Sequence, residues 1–350
     1  MYMITTLSTL SEDLKDILQE SHILKNSKEY QSKLIQSKKS EKMKEEKGQD
    51  LFSSFNPTFD KSALPSIKVN NKKIIWATDN YLNKGKSYSF NKPIHDVEII
   101  IPRSEKSKED QKRRVKEKAE VFTPSWVCNL QNNLIDDNIL GTGAFNTSND
   151  EEKTWISRPE KIKFTKEYSW ADYVSERRLE ACCGEGPYLM SPYDTVTGQH
   201  IPVRDENGVY QRIGILDRKL RVISENLSKE DWVKGALIAL KTTFGYEWQG
   251  DNLILARLNF LNTFIEYYMD YFGESPNNDL LKEVAEIASW NLWQMDGLKM
   301  VVPMTCSKDC LSCKNKKRAG HDGVQPVIRF FNGESYNYIT FEKLLPVESF

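Results

Sequence analysis

The stretch NLILARLNFLNTFIEYYMDYF, Asn252 to Phe272, constrains the fold of this chain more than any other. Its apolar residues Leu253, Leu255, Leu258, Phe260, Leu261, Phe264, Ile265 and Tyr268 follow the period of an amphipathic helix. Ahead of it, ALIALKTTFGYE leads from a helix into a strand; behind it, LLKEVAEIASWNLWQMDGL does the same. RRLEACC is strand-like and stops at glycines, and RIGILD reads as a second short strand. Helix and strand alternating from about Trp170 onward imply an α/β fold built on a parallel, doubly wound sheet. No internal repeat is present.

The first third differs in composition. KEYQSKLIQSKKSEKMKEEKGQD is charged and poor in apolar residues, so residues 1–60 read as a helical or disordered arm, with LSEDLKDILQESHIL its one apolar period. KKIIWATDNYL and HDVEIIIP look like two strands of a small β element over 61–102. Residues 103–300 form the main domain, in which FNTSNDEEKTW is a polar loop, and 301–350 a Cys-rich loop followed by a C-terminal β hairpin.

Lysine and arginine number 49 against 50 acidic residues, so a polyanion site would have to come from local clustering. Arg103 to Lys118 is such a cluster, with eight basic and four acidic residues. It reads either as a solvated helical face or as a segment that contacts phosphate. The opening MYMITTLSTLSEDLKDILQE has no basic start or apolar core, and no run reaches membrane-spanning length. A soluble cytoplasmic protein with no membrane association is expected.

In LEACCGEGPYL, Gly184 and Gly186 follow a strand, where glycine lets the backbone turn sharply and approach a ligand without a Cβ in the way. With Glu180 before the cysteines, this segment resembles the cofactor loop Asp-Pro-Ala-Cys-Gly-Ser-Gly-x-Phe of S-adenosylmethionine-dependent, adenine-specific DNA methyltransferases. Glu180 to Tyr188 fit it in register, and Cys183 takes the place of the family's cysteine. Upstream, AEVFTPSWV resembles the family's Phe-Thr-Pro motif, carried here by Phe122, Thr123 and Pro124. FGYEWQGDNLILARLNFL resembles the element in which an acid grips the ribose and Ala-x-x-Asn follows, giving Glu247, Ala256 and Asn259. Asp217 in RIGILDRKL is the rival acid, although its carboxylate has Arg218 or Lys219 beside it to pair with. NLWQMDGLK resembles the third cofactor element, where Asp296 would meet the adenine amine.

The resemblance runs from about Ala119 to Lys299. It implies a Rossmann-like methyltransferase sheet in 103–300, with S-adenosylmethionine as cofactor and DNA as partner, in the modification subunit of a restriction-modification system. One motif is missing. The family's Asp/Asn-Pro-Pro-Tyr/Phe holds and stacks on a flipped adenine, yet none of the thirteen prolines here is adjacent to another. SPYD, Ser191 to Asp194, and NPTF, Asn56 to Phe59, both precede Glu247, in the wrong order. The catalytic residues are therefore unassigned, and YNYITFEKLLPVESF ends about where the family begins the strand leading to that motif. A second polypeptide carrying the motif, or a noncatalytic DNA-binding or scaffold subunit, fits this pattern; a restriction endonuclease component is a further alternative, for which no nuclease signature is found.

The six cysteines are vicinal or clustered, unlike a secreted disulfide framework. Cys306, Cys310, Cys313 and His321 form C-x3-C-x2-C-x7-H, a set that suits a structural tetrahedral zinc ion; free thiols on a surface loop are the alternative. Cys128 is expected to be buried on a helix, and His22, His95 and His200 to face solvent. Trp170, Trp290 and Trp293 are expected in the core, and Trp248 beside the cofactor.

Overall fold

The computed structural model describes residues 6–24, 69–118, 120–317, 320–331 and 336–343. Helix α1 (Glu12–Leu18) runs into strand β1 (Glu20–Leu24), which pairs antiparallel with β2 (Val69–Lys73). From Thr6 to Leu24, the expected arm belongs to the body of the protein. Leu7, Leu10, Leu14 and Leu18 recur every three or four residues, and all four are buried in the main core. The remainder of the expected arm lies outside the described residues.

Beyond β2, a single bridge between Ile75 and Pro93 continues the pairing, and HDVEIIIP forms no strand. Together with Ile94, just ahead of it, its Val97 and Ile100 are buried. A strand sorts side chains with a period of two and cannot bury every third residue on one face. Helix α2 (Lys108–Lys118) carries the charge run, and α3 (Ser125–Leu140) follows Pro124. The expected loop FNTSNDEEKTW is a β hairpin instead, with β3 (Asn146–Asn149) antiparallel to β4 (Thr154–Ser157). Polar contacts anchor it: Asn146 Oδ1 accepts from Nδ2 of Asn129 (2.8 Å) and of Asn133 (2.9 Å) on α3. The apolar alternation that marks a strand in sequence is therefore not needed here.

After α4 (Trp170–Ser175) comes the α/β body: β5 (Arg178–Ala181), α5 (Ile215–Asn226), α6 (Lys229–Lys241), β6 (Thr243–Glu247), α7 (Gly250–Phe272), α8 (Asn278–Asn291) and β7 (Leu292–Gln294). The three strands form one parallel sheet in the order β5-β6-β7, with Glu180 opposite Gly245 and Glu247 opposite Gln294. RIGILD is not a strand but the entry to α5. Asp217 in its first turn accepts hydrogen bonds from the Gly214 N–H (3.2 Å) and from the N–H and hydroxyl of Ser191 (2.8 and 2.9 Å). Its nearest cation is Arg212 at 3.9 Å, neither Arg218 nor Lys219.

The sheet buries its two faces differently. Gly245 and Leu292 face the helices, where a Cβ on Gly245 would lie 3.0 Å from Leu292 Cδ2 and 3.2 Å from Cys183 Sγ. Phe244, Tyr246, Trp293 and Met295 face the other way and pack with Ile328, Ile339 and Phe341. These last residues belong to the antiparallel pair β8 (Val327–Phe331) and β9 (Tyr336–Thr340), or directly follow it. The protein is thus mixed α/β with a parallel three-stranded sheet. Among the described residues, the second face is closed by this strand pair rather than by helices. No helix among them is long and apolar enough to cross a membrane.

Arg257, fully buried on α7, ties distant parts together. Its guanidinium donates to the carbonyls of Leu18 (2.7 Å), Glu20 (2.7 Å), Ser289 (2.7 Å) and Leu292 (2.8 Å). Burial lowers its pKa to about 9, with Glu20 acting in the opposite direction. His22, expected at the surface, is buried: its ring stacks on Trp290 at 3.6 Å, and Nε2 lies 3.0 Å from Ser289 Oγ. His95 is exposed and His200 half-buried. Trp290, Trp293 and Cys128 are buried, and Trp170 is partly buried against the main core.

Candidate functional site

The carboxyl ends of β5 and β6 open onto a cleft of about 470 Å³. Open α/β sheets bind ligands at these strand ends, where loops diverge. Of the residues picked out in the sequence, Phe122, Thr123, Glu180, Cys183, Gly184 and Glu247 line the cleft, together with Trp248.

The loop after β5 is shaped by its backbone. Cys182, Gly184 and Gly186 have φ of 54°, 57° and 83°. A Cβ at Gly186 would lie 2.6 Å from Met190 Cε and 3.8 Å from the Ala256 Cβ, so a side chain there meets both conformational strain and contact. Asn259, one turn further along α7, donates to the carbonyl of Glu185 at 2.9 Å. Ala256 and Asn259 therefore hold the loop rather than line the cleft. After Gly186 the chain turns back, with the Met190 N–H bonded to the Gly186 carbonyl at 2.8 Å, and the next helix begins only at Ile215. No helix therefore starts just behind the glycines.

Glu247 clamps this loop. One carboxylate oxygen accepts from the Gly184 N–H (2.9 Å) and the other from the Gln249 N–H (3.0 Å). Burial outweighs these donors and raises the Glu247 pKa to about 7. Glu180 is pushed well above the usual carboxylate range by burial and then by the neighbouring Glu247.

Among the cleft residues that the sequence reading did not single out are Glu120 and Gln249. Glu120 pairs with Arg114 at 2.6 Å and accepts from Gln249 Nε2 at 2.9 Å, while Arg114 also bonds Asp251 at 2.7 Å. Among the described side chains of α2, Arg114 is the one that turns fully into the protein, and it carries the charge run into the wall of the cleft. An acid three residues before Thr123 was the available signal, but only the fold reveals its partner. Glu120 Oε1, Glu180 Oε2 and Gln249 Oε1 are buried acceptors with no hydrogen-bond partner. Such atoms cost free energy unless a donor arrives. The cleft thus presents three carboxylates and an amide oxygen beside the rings of Phe122 and Trp248, which suits a ligand that is cationic or rich in hydroxyls and carries a flat ring.

Pro124, Gly186 and Asp296 do not line the cleft. Pro124 is the N-cap of α3, and Gly186 shapes the loop from behind. Asp296 is spent on a turn, its Oδ1 accepting from the N–H groups of Leu298 (2.9 Å) and Lys299 (3.1 Å).

The other constellation lies after β7. Sγ of Cys306, Cys310 and Cys313 lie 3.7, 3.6 and 3.3 Å from His321 Nδ1, and the four ligand atoms all lie within 4.8 Å of one another. This set of donors is able to hold a metal ion such as zinc. Comparison of the chain with protein-family models, with curated proteins and with solved structures finds no match, so the meaning of both constellations rests on their own residues.

Proposed function

We propose that the chain is the cofactor-binding modification subunit of an adenine-specific DNA methyltransferase system, with S-adenosylmethionine in the cleft and DNA as substrate, built on one half of a Rossmann-like methyltransferase sheet. The observation that carries this reading is the convergence of the Phe122-Thr123 segment, the glycine loop and Glu247 on one acceptor-rich cleft. Each oxygen of Glu247 holds one backbone N–H and keeps a lone pair for a ribose hydroxyl. Glu120 favours a cationic ligand, whose charge would in turn draw the proton off Glu180, and Phe122 and Trp248 supply ring faces. The unpartnered acceptors of Glu120, Glu180 and Gln249 disfavour a pyrophosphate, whose oxygens are acceptors too, which argues against a dinucleotide. When bound, S-adenosylmethionine supplies an electrophilic methyl group. Residues that hold the target adenine are assigned to a second polypeptide carrying Asn-Pro-Pro-Tyr.

Calorimetry on the full chain tests this reading. S-adenosylmethionine is expected to bind at pH 8, and Glu247→Gln to weaken it about ten- to hundredfold, the worth of a charge-assisted hydrogen bond. The sign of the pH effect follows from the raised pKa. Protonated Glu247 is favoured in the fold, so its contribution to stability is fully present below the ordinary 4.5 and lost as pH rises through about 7. A ligand whose hydroxyls need the carboxylate works against this, so its affinity should fall about tenfold per unit below pH 7 and level off above it. No binding, or equal binding of ATP, would sink the proposal.

One observation favours a noncatalytic DNA-binding subunit as the second reading. Lys108, Lys112 and Lys116, four residues apart on α2, are all exposed on one face. If they contact phosphate, the triple Glu variant should reduce the slope of log K against log salt by about three. An unchanged slope assigns them to solvent.

A further inference from the structure

We infer that Cys306, Cys310, Cys313 and His321 form a closed tetrahedral zinc site that fastens the chain between β7 and β8 and holds one wall of the cleft. The first argument is distance. Zinc bonds of about 2.3 Å to sulfur and 2.0 Å to nitrogen, at tetrahedral angles, separate S from N by about 3.5 Å. The three observed separations, 3.7, 3.6 and 3.3 Å, bracket that value. Three thiols close to one imidazole nitrogen are an improbable packing for their own sake, since each is a weak hydrogen-bonding partner. None of the three cysteines is in a disulfide.

The second argument is the histidine. It is only 2 % exposed, and its Nε2 lies 2.8 Å from the Lys317 carbonyl, which requires the proton on Nε2. Nδ1 then carries a lone pair and points it at the sulfurs. A ligating histidine whose other nitrogen donates to a backbone carbonyl is the usual arrangement around zinc.

The third argument is how the chain is braced around the four ligands. Cys310 is the N-cap of the short helix α9 (Leu311–Lys314), which places Cys313 one turn on and on the same side. The Ser312 hydroxyl donates to the Gly320 carbonyl at 2.9 Å, and the Lys317 N–H to the Ser312 carbonyl at 2.9 Å. Ser307 bonds Asp322 through both its N–H (3.0 Å) and its hydroxyl. Three thiolates and a divalent ion leave one net negative charge, and Lys299, Lys316 and Lys317 line a hollow with Cys313 and His321, where they offset it.

All four positions are filled by protein, so the ion has no place for water or substrate and its role is structural. Its reach extends further. Val302 donates to the Val324 carbonyl at 2.7 Å, closing the segment at its base, and Met304, two residues before Cys306, lines the cleft. The site is independent of what the cleft binds.

Metal analysis of the untagged full chain, purified under reducing conditions without chelator, should find one zinc per chain. Exchange with cobalt(II) should give the intense visible absorption of a tetrahedral site with a thiolate charge-transfer band. Cys310→Ser and His321→Ala should lose the metal, and His321→Cys should keep it. A chelator strong enough to strip zinc should lower the melting temperature of the wild type but not that of Cys310→Ser. A variant that misfolds loses metal for another reason, so the cobalt spectrum of the wild type decides alone. Its absence after reconstitution overturns the site, as does iron in place of zinc, or full zinc retained by a Cys310→Ser/Cys313→Ser double variant.

Discussion

Replacing Arg257 with methionine is expected to lower the free energy of unfolding by about 3–5 kcal/mol, since it leaves several buried carbonyls without this donor, at about 1–3 kcal/mol for each that finds no other. The asymmetry decides the sign. A buried ion pair can often be exchanged for apolar residues without loss, because both charges leave together. The partners of Arg257 are the main-chain carbonyls of Leu18, Glu20, Ser289 and Leu292, and no side-chain substitution removes them. Methionine fills much of the same volume, so the loss reports the stranded acceptors rather than a cavity. Urea unfolding checks this: a midpoint shift worth less than about 1 kcal/mol would show that water or a neighbour replaces the guanidinium.

Gly250→Ala comes next in size. A Cβ at this first residue of α7 would sit 2.1 Å from the Ile75 carbonyl oxygen, 2.8 Å from Ile94 Cδ1 and 2.9 Å from Ile74 Cγ2. The carbonyl cannot swing aside, because Gln294 Nε2 donates to it at 2.8 Å and the Gly250 N–H donates to the next carbonyl, of Trp76, at 2.9 Å. The helix start must move instead, at a cost of about 3 kcal/mol, the upper end for one methyl group too many in a packed region. Glu247 to Gln249 lie immediately before that start, so the cleft should deform with it. Denaturant unfolding with ligand titration separates the two effects. A variant that keeps full stability would mean that the approach of α7 to Ile75 is looser than 2.1 Å implies.

The parts of this fold that were legible in the sequence are those where apolar spacing alone determines structure. The helix from Gly250 to Phe272 and the strands on either side of it follow that rule, as does the strand that ends at the glycine loop. RIGILD misled because a buried helix start and a short buried strand both show an apolar run, and the polar group that distinguishes them is Ser191, more than twenty residues away. The hairpin at Asn146 was hidden because side-chain amides from another element support it. His22 was hidden because its partner Trp290 is remote in sequence.

The candidate site divides along the same line. The glycine loop, Glu247 and the Cys/His spacing are local patterns and could be read directly. Glu120 and Gln249 acquire meaning only through Arg114, and Asp296 looked available only because the turn that occupies it is made by its own neighbours. Local motifs announce themselves, whereas electrostatic support does not.

The hold of Arg257 on the first strand also has a consequence in time. The carbonyls of Leu18 and Glu20 lie 239 and 237 residues before their donor. At synthesis rates of about 5–20 residues per second, the amino-terminal segment waits on the order of ten to fifty seconds for the side chain that secures it. Protease added to stalled nascent chains should therefore cut near Leu18 until Arg257 has left the ribosome, and protection appearing earlier would place another contact first.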